Sequence, residues 1–355
     1  MPSDLPLRPV TFSPSIPEIR FIEQTLLPEV YKEESATTVE RLALAIKRLE
    51  IRGAPALGVA GAYGIALAAL TSPSTEYTRF INDIENAATT LRATRPTAVN
   101  LFYGINRALS AVKKHNDIDT AKTAAIREAE EVADEDTRTC HAIGEHGLTV
   151  VPHTCTILTH CNAGALACRE WGTALGVIRS AVKNGCIVKV YACETRPLLQ
   201  GARLTAWELA RDGIDVTVIT DSMAAPLMRK GKIDLVIVGA DRITSDAVFN
   251  KIGTYMHAVC AKAHSIPFYV AAPFSTFDED AVESDITVEM RSRDEVASFG
   301  GKITVPDEVA VYNPAFDATP AELVSGIITE HGIFKLPEDL IKIKIIRTNT
   351  KGTMS

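Results

Sequence analysis

The sequence lacks an excess of positive charge. Its 355 residues include 37 lysines and arginines against 44 aspartates and glutamates, which gives a net charge of −7 and a pI near 5.7. A protein that binds nucleic acid generally presents a basic face, so we expect no nucleic-acid partner. Local basic sites for a phosphate group are compatible with this balance.

The patterns of a C-x-x-C pair and of a secretory leader are also missing. The seven cysteines are an odd number, and none forms the C-x-x-C pair of redox and zinc sites. Residues 1–12 show no charged start followed by an apolar core, which is the pattern of a secretory signal. These absences predict a reducing, cytoplasmic location.

A long, leucine-rich apolar run is absent. The longest apolar stretch, residues 54–70, is about long enough for a marginal membrane span. It is rich in glycine and alanine, and Arg52 lies close upstream. Spanning helices are usually longer and richer in leucine. We therefore predict a buried, tightly packed helix and no membrane association.

Nucleotide and metal motifs are lacking too. No G-x-G-x-x-G follows a predicted strand and there is no Walker sequence, so nothing supports binding of a dinucleotide or ATP. The cysteines and histidines do not recur at the spacing of metal ligands. We expect an activity that needs no cofactor and no metal.

What the sequence does contain is typical of a two-part α/β protein. It is 46% apolar and 23% charged, as in globular proteins, and it is too long for one ordinary core. Apolar residues recur at helical spacing in residues 38–49, 77–91, 99–113 and 120–146, which predicts a mainly helical first part. The boundary falls between about residues 130 and 150.

Five apolar runs in the second part each stop at polar or small residues before a helical pattern. They are residues 157–158, 188–192, 216–219, 235–238 and 268–271. This alternation predicts βαβ units and a parallel sheet covered by helices on both faces. Ligands of such sheets bind beyond the carboxyl ends of the strands. We expect one shared rim that contains Cys161, Glu194, Arg196, Asp221 and Asp241.

The C-terminal region carries weaker patterns. Residues 309–328 are typical of a final αβ unit, and the alternation of lysine and isoleucine from Lys342 onward predicts an edge strand.

The stretch from Arg52 to Pro55 favours a phosphate cradle. Proline suits the first turn of the following helix. Gly53 and Ala54 leave little side chain, so their N–H groups could approach an anion at the positive end of the helix dipole while Arg52 supplies charge. The alternative is an ordinary tight turn with a solvated arginine.

Further polar side chains lie in loops that lead into helices. Arg95 belongs to a basic loop, residues 92–97, and is a second candidate phosphate ligand, although a lone loop arginine is more often solvated. Residues 200–203 form a polar loop before a helix. Asn250 and Lys251 open another helix with an amide and a cation, which suits sugar hydroxyls and a phosphate.

Two residues could carry out acid–base or nucleophilic chemistry. Cys161 follows a strand where small residues open, and a cysteine at such a place can have a lowered pKa; the alternative is a small buried hydrophobe. Asp241 ends an apolar strand, where desolvation could make it a general acid; the alternative is a helix N-cap. Asp221 fits the cap role better, and His160 could be a partner of the cysteine or a structural residue.

These segments together resemble the methylthioribose-1-phosphate isomerase family. The matching motifs are R-G-A-P-A-L-G from Arg52, T-H-C-N-A-G from Thr159, E-T-R-P-L-L-Q-G-A-R-L-T-A-W-E from Glu194, G-A-D-R-I from Gly239 and N-K-I-G-T-Y from Asn250. Further matches at residues 270–273, 288–291 and 313–320 extend the resemblance over most of the chain. The superfamily also holds ribose-1,5-bisphosphate isomerases and regulatory subunits of the eukaryotic translation-initiation exchange factor.

The resemblance implies an α/β fold with a mainly helical N-terminal domain (residues 1–140) and a Rossmann-like C-terminal domain with a parallel sheet (residues 141–355). It implies a cytoplasmic homodimer that acts on a small sugar phosphate without a cofactor. By matching motifs, Cys161 and Asp241 would be catalytic. The substrate ligands would be Arg52, Gly53, Ala54, Arg95, Gln200, Asn250 and Lys251.

The implied reaction converts S-methyl-5-thioribose 1-phosphate to S-methyl-5-thioribulose 1-phosphate in methionine salvage. One departure bears on substrate fit: residues 244–249 are T-S-D-A-V-F, one residue shorter than the corresponding family loop, which contains Asn-Gly-Asp. Ribose 1,5-bisphosphate and 5-deoxyribose 1-phosphate are alternative substrates. A non-catalytic subunit similar to the translation factor is an alternative of another class.

Overall fold

The computed structural model describes residues 6–96 and 98–352, so Thr97 of the basic loop lies outside the described residues. The described chain forms two compact units. The first comprises residues 6–141 and 163–176, and the second comprises residues 142–162 and 177–352.

The first unit is mainly helical, as predicted. A three-stranded antiparallel sheet precedes the helices. The elements are β1 (Val10–Ser13), β2 (Glu18–Ile22), β3 (Glu33–Ala36), α1 (Val39–Lys47), α2 (Ala54–Thr71), α3 (Tyr77–Arg92), α4 (Val99–Lys113) and α5 (Ile118–Gly147), whose C-terminal end belongs to the second unit.

Helix α2 is the centre of the first unit. Residues 56–69 are all buried. A Cβ atom on Gly104 of α4 would lie only 1.9 Å from the carbonyl oxygen of Gly58 in α2. Glycine therefore lets the two backbones approach closely. By length and composition α2 could cross a membrane, but 78% of it is buried in the protein, in agreement with the predicted packed helix.

The second unit alternates strands and helices around a large sheet. Its elements are β4 (Thr154–Thr159), α6 (Ala174–Lys183, which begins in the first unit), β5 (Ile187–Cys193), α7 (Ala206–Arg211), β6 (Asp215–Ile219), α8 (Ala224–Arg229), β7 (Leu235–Val238), β8 (Arg242–Thr244), β9 (Ala247–Lys251), α9 (Thr254–Ala263), β10 (Phe268–Ala271), β11 (Phe277–Asp278), α10 (Asp294–Ala297), β12 (Ser298–Phe299), β13 (Lys302–Ile303), β14 (Phe316–Pro320), β15 (Gly326–Thr329), β16 (Gly332–Phe334) and α11 (Leu340–Gly352).

The large sheet has the strand order of a doubly wound fold. Seven strands lie in the order β16-β15-β10-β7-β4-β5-β6, and all neighbours are parallel except β15 and β16. Numbered along the chain, the six parallel strands have the order 3-2-1-4-5-6, which is the Rossmann order. The five predicted strands are confirmed, and so is the α/β fold class.

A second sheet replaces one expected helix. After β7 the chain forms the antiparallel hairpin of β8 and β9, and the four strands lie in the order β11-β8-β9-β14. Ile243 and Val248 form a buried cross-strand pair in this hairpin, and such β-branched residues favour strands. The predicted alternation is therefore wrong at this connection. After β10 the chain forms a short 3₁₀ turn, Phe274–Thr276.

The two C-terminal predictions are also wrong. Residues 309–328 contain β14, a 3₁₀ turn (Ala321–Leu323) and the start of β15. The Lys–Ile tail forms the helix α11, in which Leu340, Ile343 and Ile346 pack against the apolar core of the second unit. Those three positions recur every three residues, which places them on one helical face.

Candidate active site

Cys161 and Asp241 follow the two strands at the topological switch point of the sheet. Cys161 lies two residues beyond β4, and Asp241 lies three residues beyond β7. Strands β4 and β7 are parallel neighbours, with Leu158 opposite Val236, so their carboxyl ends meet at the same edge. Connections leave these two strands in opposite directions, and ligands of doubly wound sheets bind in the resulting crevice. The topology thus brings both predicted catalytic residues to the expected ligand site.

Cys161 has an unusual backbone conformation that is held by hydroxyl groups. It is 9% exposed, and its φ of +65° lies in the left-handed region. A non-glycine residue pays on the order of 1–3 kcal/mol there, and such residues cluster at active sites. The N–H of Cys161 donates to Oγ1 of Thr195 at 2.9 Å, and its carbonyl accepts from Oγ1 of Thr205 at 2.7 Å. Two such hydrogen bonds contribute about 1 kcal/mol each, enough to offset most of that cost.

Asp241 begins the hairpin of the second sheet. Its side chain is half-buried, and its backbone N–H donates to the carbonyl of Phe249 at 2.9 Å. A strand follows it rather than a helix, so the alternative interpretation as a helix N-cap is wrong. The bond to Phe249 places Asp241 at the open end of the hairpin, where Asn250 is the next residue along β9.

Gln200 lies where a tight backbone turn follows β5. It is 8% exposed, and its Oε1 has no hydrogen-bond partner among the described residues. A buried acceptor left unpaired is costly, so this oxygen is suited to accept from a ligand hydroxyl. Residues 201–205 form a π-helical turn. A Cβ on Gly201 would lie 1.7 Å from the carbonyl oxygen of Cys193, so glycine permits the close approach.

Asn250 and Lys251 end β9 immediately before α9, but protein groups already contact them. Asn250 is 4% exposed, and its Nδ2 donates to Oγ1 of Thr254 at 3.0 Å. The Nζ of Lys251 donates to the carbonyl of Ala315 at 2.8 Å and lies 4.8 Å from the ring centre of Phe316. Both residues are therefore held in fixed positions before any ligand binds.

Asp317 is a residue of this region that we did not predict. Its carboxylate accepts hydrogen bonds from the N–H groups of Gly253 at 2.7 Å and Tyr255 at 3.2 Å. The N-terminus of α9 therefore already has its own anion. Burial raises the pKa of Asp317 to about 6, against the opposing effect of these hydrogen bonds. The sequence signal was an aspartate in the N-P-A-F-D segment, which has no local feature that links it to α9.

Asp221 has a different role from the predicted helix cap. Its two oxygens accept from the backbone N–H groups of Thr195 and Arg196, each at 2.8 Å. It thus ties the loop after β5 to the end of β6. Because the N–H of Cys161 donates to Thr195 in the same loop, Cys161, Arg196 and Asp221 share one rim. Glu194 lies in the same loop, and burial, followed by the charge of Asp221, raises its pKa.

The remaining predicted ligands belong to the first unit. Gly53 is the N-cap of α2, has a φ of +95°, and provides no side-chain cap. Arg52, Ala54 and Arg95 are half-buried. A glycine before a helix N-terminus with an adjacent arginine is the arrangement expected of an anion site. Phosphate binding by these four residues stays a prediction.

Four side chains near Cys161 could in principle hold a metal ion. The ligand atoms of His160, Cys193, Asp221 and His257 all lie within 4.8 Å of one another. However, Nε2 of His257 lies 3.2 Å from Nδ1 of His160, and Nε2 of His160 lies 2.8 Å from the carbonyl of Ile252. These donors form a hydrogen-bonded chain in which His160 Nδ1 accepts, and Asp221 already accepts two N–H groups. The cluster therefore suits a structural role.

Burial determines the charge of this histidine pair. It lowers the pKa of His160 to about 4 and that of His257 to about 3. Both rings are therefore neutral near pH 7. His160 is 1% and His257 0% exposed, and the pair connects the residue before Cys161 to the segment after Lys251.

Fold and site together define a doubly wound α/β protein whose polar residues converge beyond β4, β5 and β7. Residues 50–336 match the Initiation factor 2 subunit family. The chain belongs to this family. It is 52% identical over 323 residues to a methylthioribose-1-phosphate isomerase from Heliobacterium modesticaldum, with 89% of this chain and 93% of that protein covered. The resemblance identified from the motifs is confirmed.

Solved structures agree with this assignment. A crystal structure of 5-methylthioribose 1-phosphate isomerase from Pyrococcus horikoshii OT3 is 43% identical, covers 98% of both chains and has a TM-score of 0.91. A crystal structure from A. fulgidus, described as translation initiation factor eIF-2B subunit delta, is 51% identical and has a TM-score of 0.86, with 94% of this chain and 97% of that chain covered.

Proposed function

We propose that this protein is an aldose–ketose isomerase that converts S-methyl-5-thioribose 1-phosphate to S-methyl-5-thioribulose 1-phosphate in methionine salvage. The observation that carries the proposal is the location of Cys161 and Asp241 after neighbouring parallel strands at the switch point. Relatives about half identical over most of the chain are named for this activity.

The phosphate on the anomeric carbon dictates what the site must do. A sugar that carries it cannot open its ring spontaneously, as a free sugar does. The ring C1–O bond must break while the ring oxygen gains a proton. A hydrogen must also move from C2 to C1, either as a hydride or through a base that removes the C2 proton, and the C2 hydroxyl becomes the ketone. The overall composition is unchanged, so no external oxidant or reductant is consumed.

Asp241 and Cys161 can divide this work. Asp241 is the general acid for the ring oxygen, because a half-buried carboxyl group at the rim can hold and deliver a proton. Cys161 acts at C2 or stabilises charge there. Gln200 supplies a buried acceptor for a sugar hydroxyl, and Asn250 and Lys251 supply an amide and a cation. Arg52, Gly53, Ala54 and Arg95 are the proposed phosphate ligands.

The C5 substituent distinguishes the alternative substrates. A methylthio or methyl group requires an apolar pocket, whereas the second phosphate of ribose 1,5-bisphosphate requires a further arginine or lysine. The chain is similar over nearly its full length to proteins named for the methylthio sugar. This similarity favours methylthioribose 1-phosphate over the bisphosphate and the 5-deoxy sugar.

The alternative is a non-catalytic regulatory subunit, because the similar A. fulgidus structure is described as a translation-factor subunit. Another structure described as translation initiation factor eIF-2B, from Pyrococcus horikoshii OT3, is 27% identical with a TM-score of 0.68, whereas the isomerase from the same organism is 43% identical. A subunit that only binds partners has no need of the Cys161 and Asp241 pair. We therefore favour the enzyme.

Turnover of both sugar phosphates by the purified protein tests the proposal. We expect ketose formation from methylthioribose 1-phosphate and little from ribose 1,5-bisphosphate. Cys161→Ser and Asp241→Asn should each lower kcat by at least about 100-fold. Activity on the bisphosphate alone would move the protein to the sister activity, and inactivity on both would support the regulatory subunit. Wild-type turnover by Asp241→Asn would exclude the proposed acid.

We further propose a homodimer without nucleic-acid or membrane partners, located in the cytoplasm and built from domains at residues 1–140 and 141–355. Light scattering of the purified protein measures the dimer directly. A mass near the 38.3 kDa of one chain at micromolar concentration would contradict it.

A further inference from the structure

We propose that Thr195 and Thr205 are positioning residues for the thiol of Cys161, and that Asp221 holds Thr195 in place for this role. The inference rests on the proposed function, in which that thiol acts on the substrate. It assigns a role that is exerted through Cys161 to three residues outside the proposed catalytic and substrate-binding set.

Thr195 fixes the amino side of Cys161. Its Oγ1 accepts the Cys161 N–H at 2.9 Å and donates its own hydrogen to the carbonyl of Cys193 at 3.0 Å. The hydroxyl therefore links the ends of β4 and β5 through one accepted and one donated hydrogen bond. Thr195 is 0% exposed, so water does not substitute for it.

Thr205 fixes the carboxyl side of Cys161. Its hydroxyl donates to the carbonyl of Cys161 at 2.7 Å. Its Oγ1 also accepts from Nδ2 of Asn162 at 3.2 Å, and the same amide donates to Glu208 at 2.8 Å. Because the amide hydrogen already points at Oγ1, the hydroxyl hydrogen is directed to Cys161. Thr205 is also 0% exposed.

Asp221 holds the backbone of Thr195. Thr195 itself has a left-handed φ of +67°, a conformation that a β-branched residue rarely adopts. The Asp221 carboxylate accepts the N–H of Thr195 and that of Arg196, each at 2.8 Å. Two hydrogen bonds to one carboxylate keep the loop in this conformation.

The direction of a side chain follows from the backbone of its residue. The backbone of Cys161 is held on both sides by buried hydroxyls, so the direction of its Cα–Cβ bond, and with it the set of positions open to the thiol, is fixed while these bonds are intact. Misplacement of a reacting group by about 1 Å can cost 100-fold in rate. Removal of either hydroxyl should therefore lower catalysis more than it lowers substrate binding.

Steady-state kinetics of isosteric variants test this. Thr195→Val and Thr205→Val keep the side-chain shape but remove the hydroxyl, and each should lower kcat about 10- to 100-fold while KM changes less than about threefold. Thr195→Ser and Thr205→Ser keep the hydroxyl and should restore most of kcat. Asp221→Asn should resemble Thr195→Val, with a large fall in kcat and a small change in KM.

Thr319→Val is the matched control. Thr319 is 0% exposed and its Oγ1 has no hydrogen-bond partner among the described residues. This variant also loses a buried threonine hydroxyl in the second unit. Because that hydroxyl makes no hydrogen bond to Cys161 or its loop, the kcat of the variant should match that of the wild type. Equal losses in Thr319→Val and Thr195→Val, or no loss in both Thr195→Val and Thr205→Val, would overturn the proposal.

Alkylation provides a readout that does not depend on the substrate. The rate at which iodoacetamide modifies Cys161 can be followed by mass spectrometry of its peptide, apart from the other six cysteines. Release of the loop should make modification of Cys161 several-fold faster in both valine variants. Unchanged alkylation would count against positioning even if the wild type had no isomerase activity, whereas absent wild-type turnover would count against the proposed function alone.

Discussion

The carboxylate of Asp317 accepts a 2.7 Å hydrogen bond from the amide of Gly253 at the start of α9. Burial raises the pKa of this carboxyl from 3.8 to about 6. The folded protein therefore binds this proton more tightly than the unfolded chain does. The resulting stabilisation is complete below pH 3.8 and is lost as the pH rises through 6.

Asp317→Asn tests this pH dependence. The free energy of unfolding of the wild type minus that of the variant should fall by about 3 kcal/mol as the pH rises from below 4 to above 6. Denaturant unfolding at several pH values measures the difference. Asp215→Asn, which removes an exposed carboxylate on β6, controls for the change in charge, and a flat difference for Asp317→Asn would contradict the prediction.

The histidine pair should give the opposite dependence on pH. The folded pKa of His257 is lowered from 6.5 to about 3, so its contribution to stability is present above pH 6.5 and is lost as the pH falls through 3. In His257→Gln, Nε2 can still donate to His160, but the side chain no longer titrates. This variant should be a few kcal/mol less sensitive to acid between pH 6.5 and 4. His264→Gln, at an exposed position after α9, should retain the acid sensitivity of the wild type.

Gly53→Ala should destabilise the protein more than a glycine substitution in an open turn. Gly53 has a φ of +95°, and a Cβ there would lie 2.4 Å from the Cα of Ala167. Strain and overlap together should cost about 3 kcal/mol or more. Gly185→Ala meets nothing within 4 Å at a φ of +84° and should cost about 1–2 kcal/mol. Equal thermal midpoints of the two variants would show that Ala167 can move away.

Arg52→Gln tests the proposed phosphate ligand. Loss of a charge-assisted hydrogen bond should raise KM for the sugar phosphate by about 10-fold or more, with a smaller change in kcat. Arg48→Gln provides the control, because Arg48 is exposed and lies four residues upstream. Similar KM values for both variants would remove Arg52 from the phosphate site.

Local patterns predicted the strands and the site residues that follow them. The apolar runs that end before residues 161 and 241 were long enough to identify as strands, and residues after parallel strands meet at one edge. Glycines 185, 213 and 231 take positive φ values at helix ends, as glycine does at a helix C-terminus.

Contacts between distant segments were not predictable in the same way. Asp317 caps α9 from a strand 64 residues away in sequence from Gly253, and His257 reaches His160 across 97 residues. The sequence around Asp317 or around the two histidines does not indicate these partners. The Lys–Ile tail misled because its exposed isoleucines, Ile341 and Ile345, imitate the alternation of a strand.

The hairpin of β8 and β9 couples the length of its turn to the positions of the residues at its base. Arg242 pairs with Phe249 and Ile243 with Val248, so the spacing of Asp241 and Asn250 is set by cross-strand register. A register shift of one residue would move Asn250 to the opposite face. An insertion or deletion of one residue at positions 245–246 that the turn does not absorb would therefore change which side chain of β9 lies opposite Asp241.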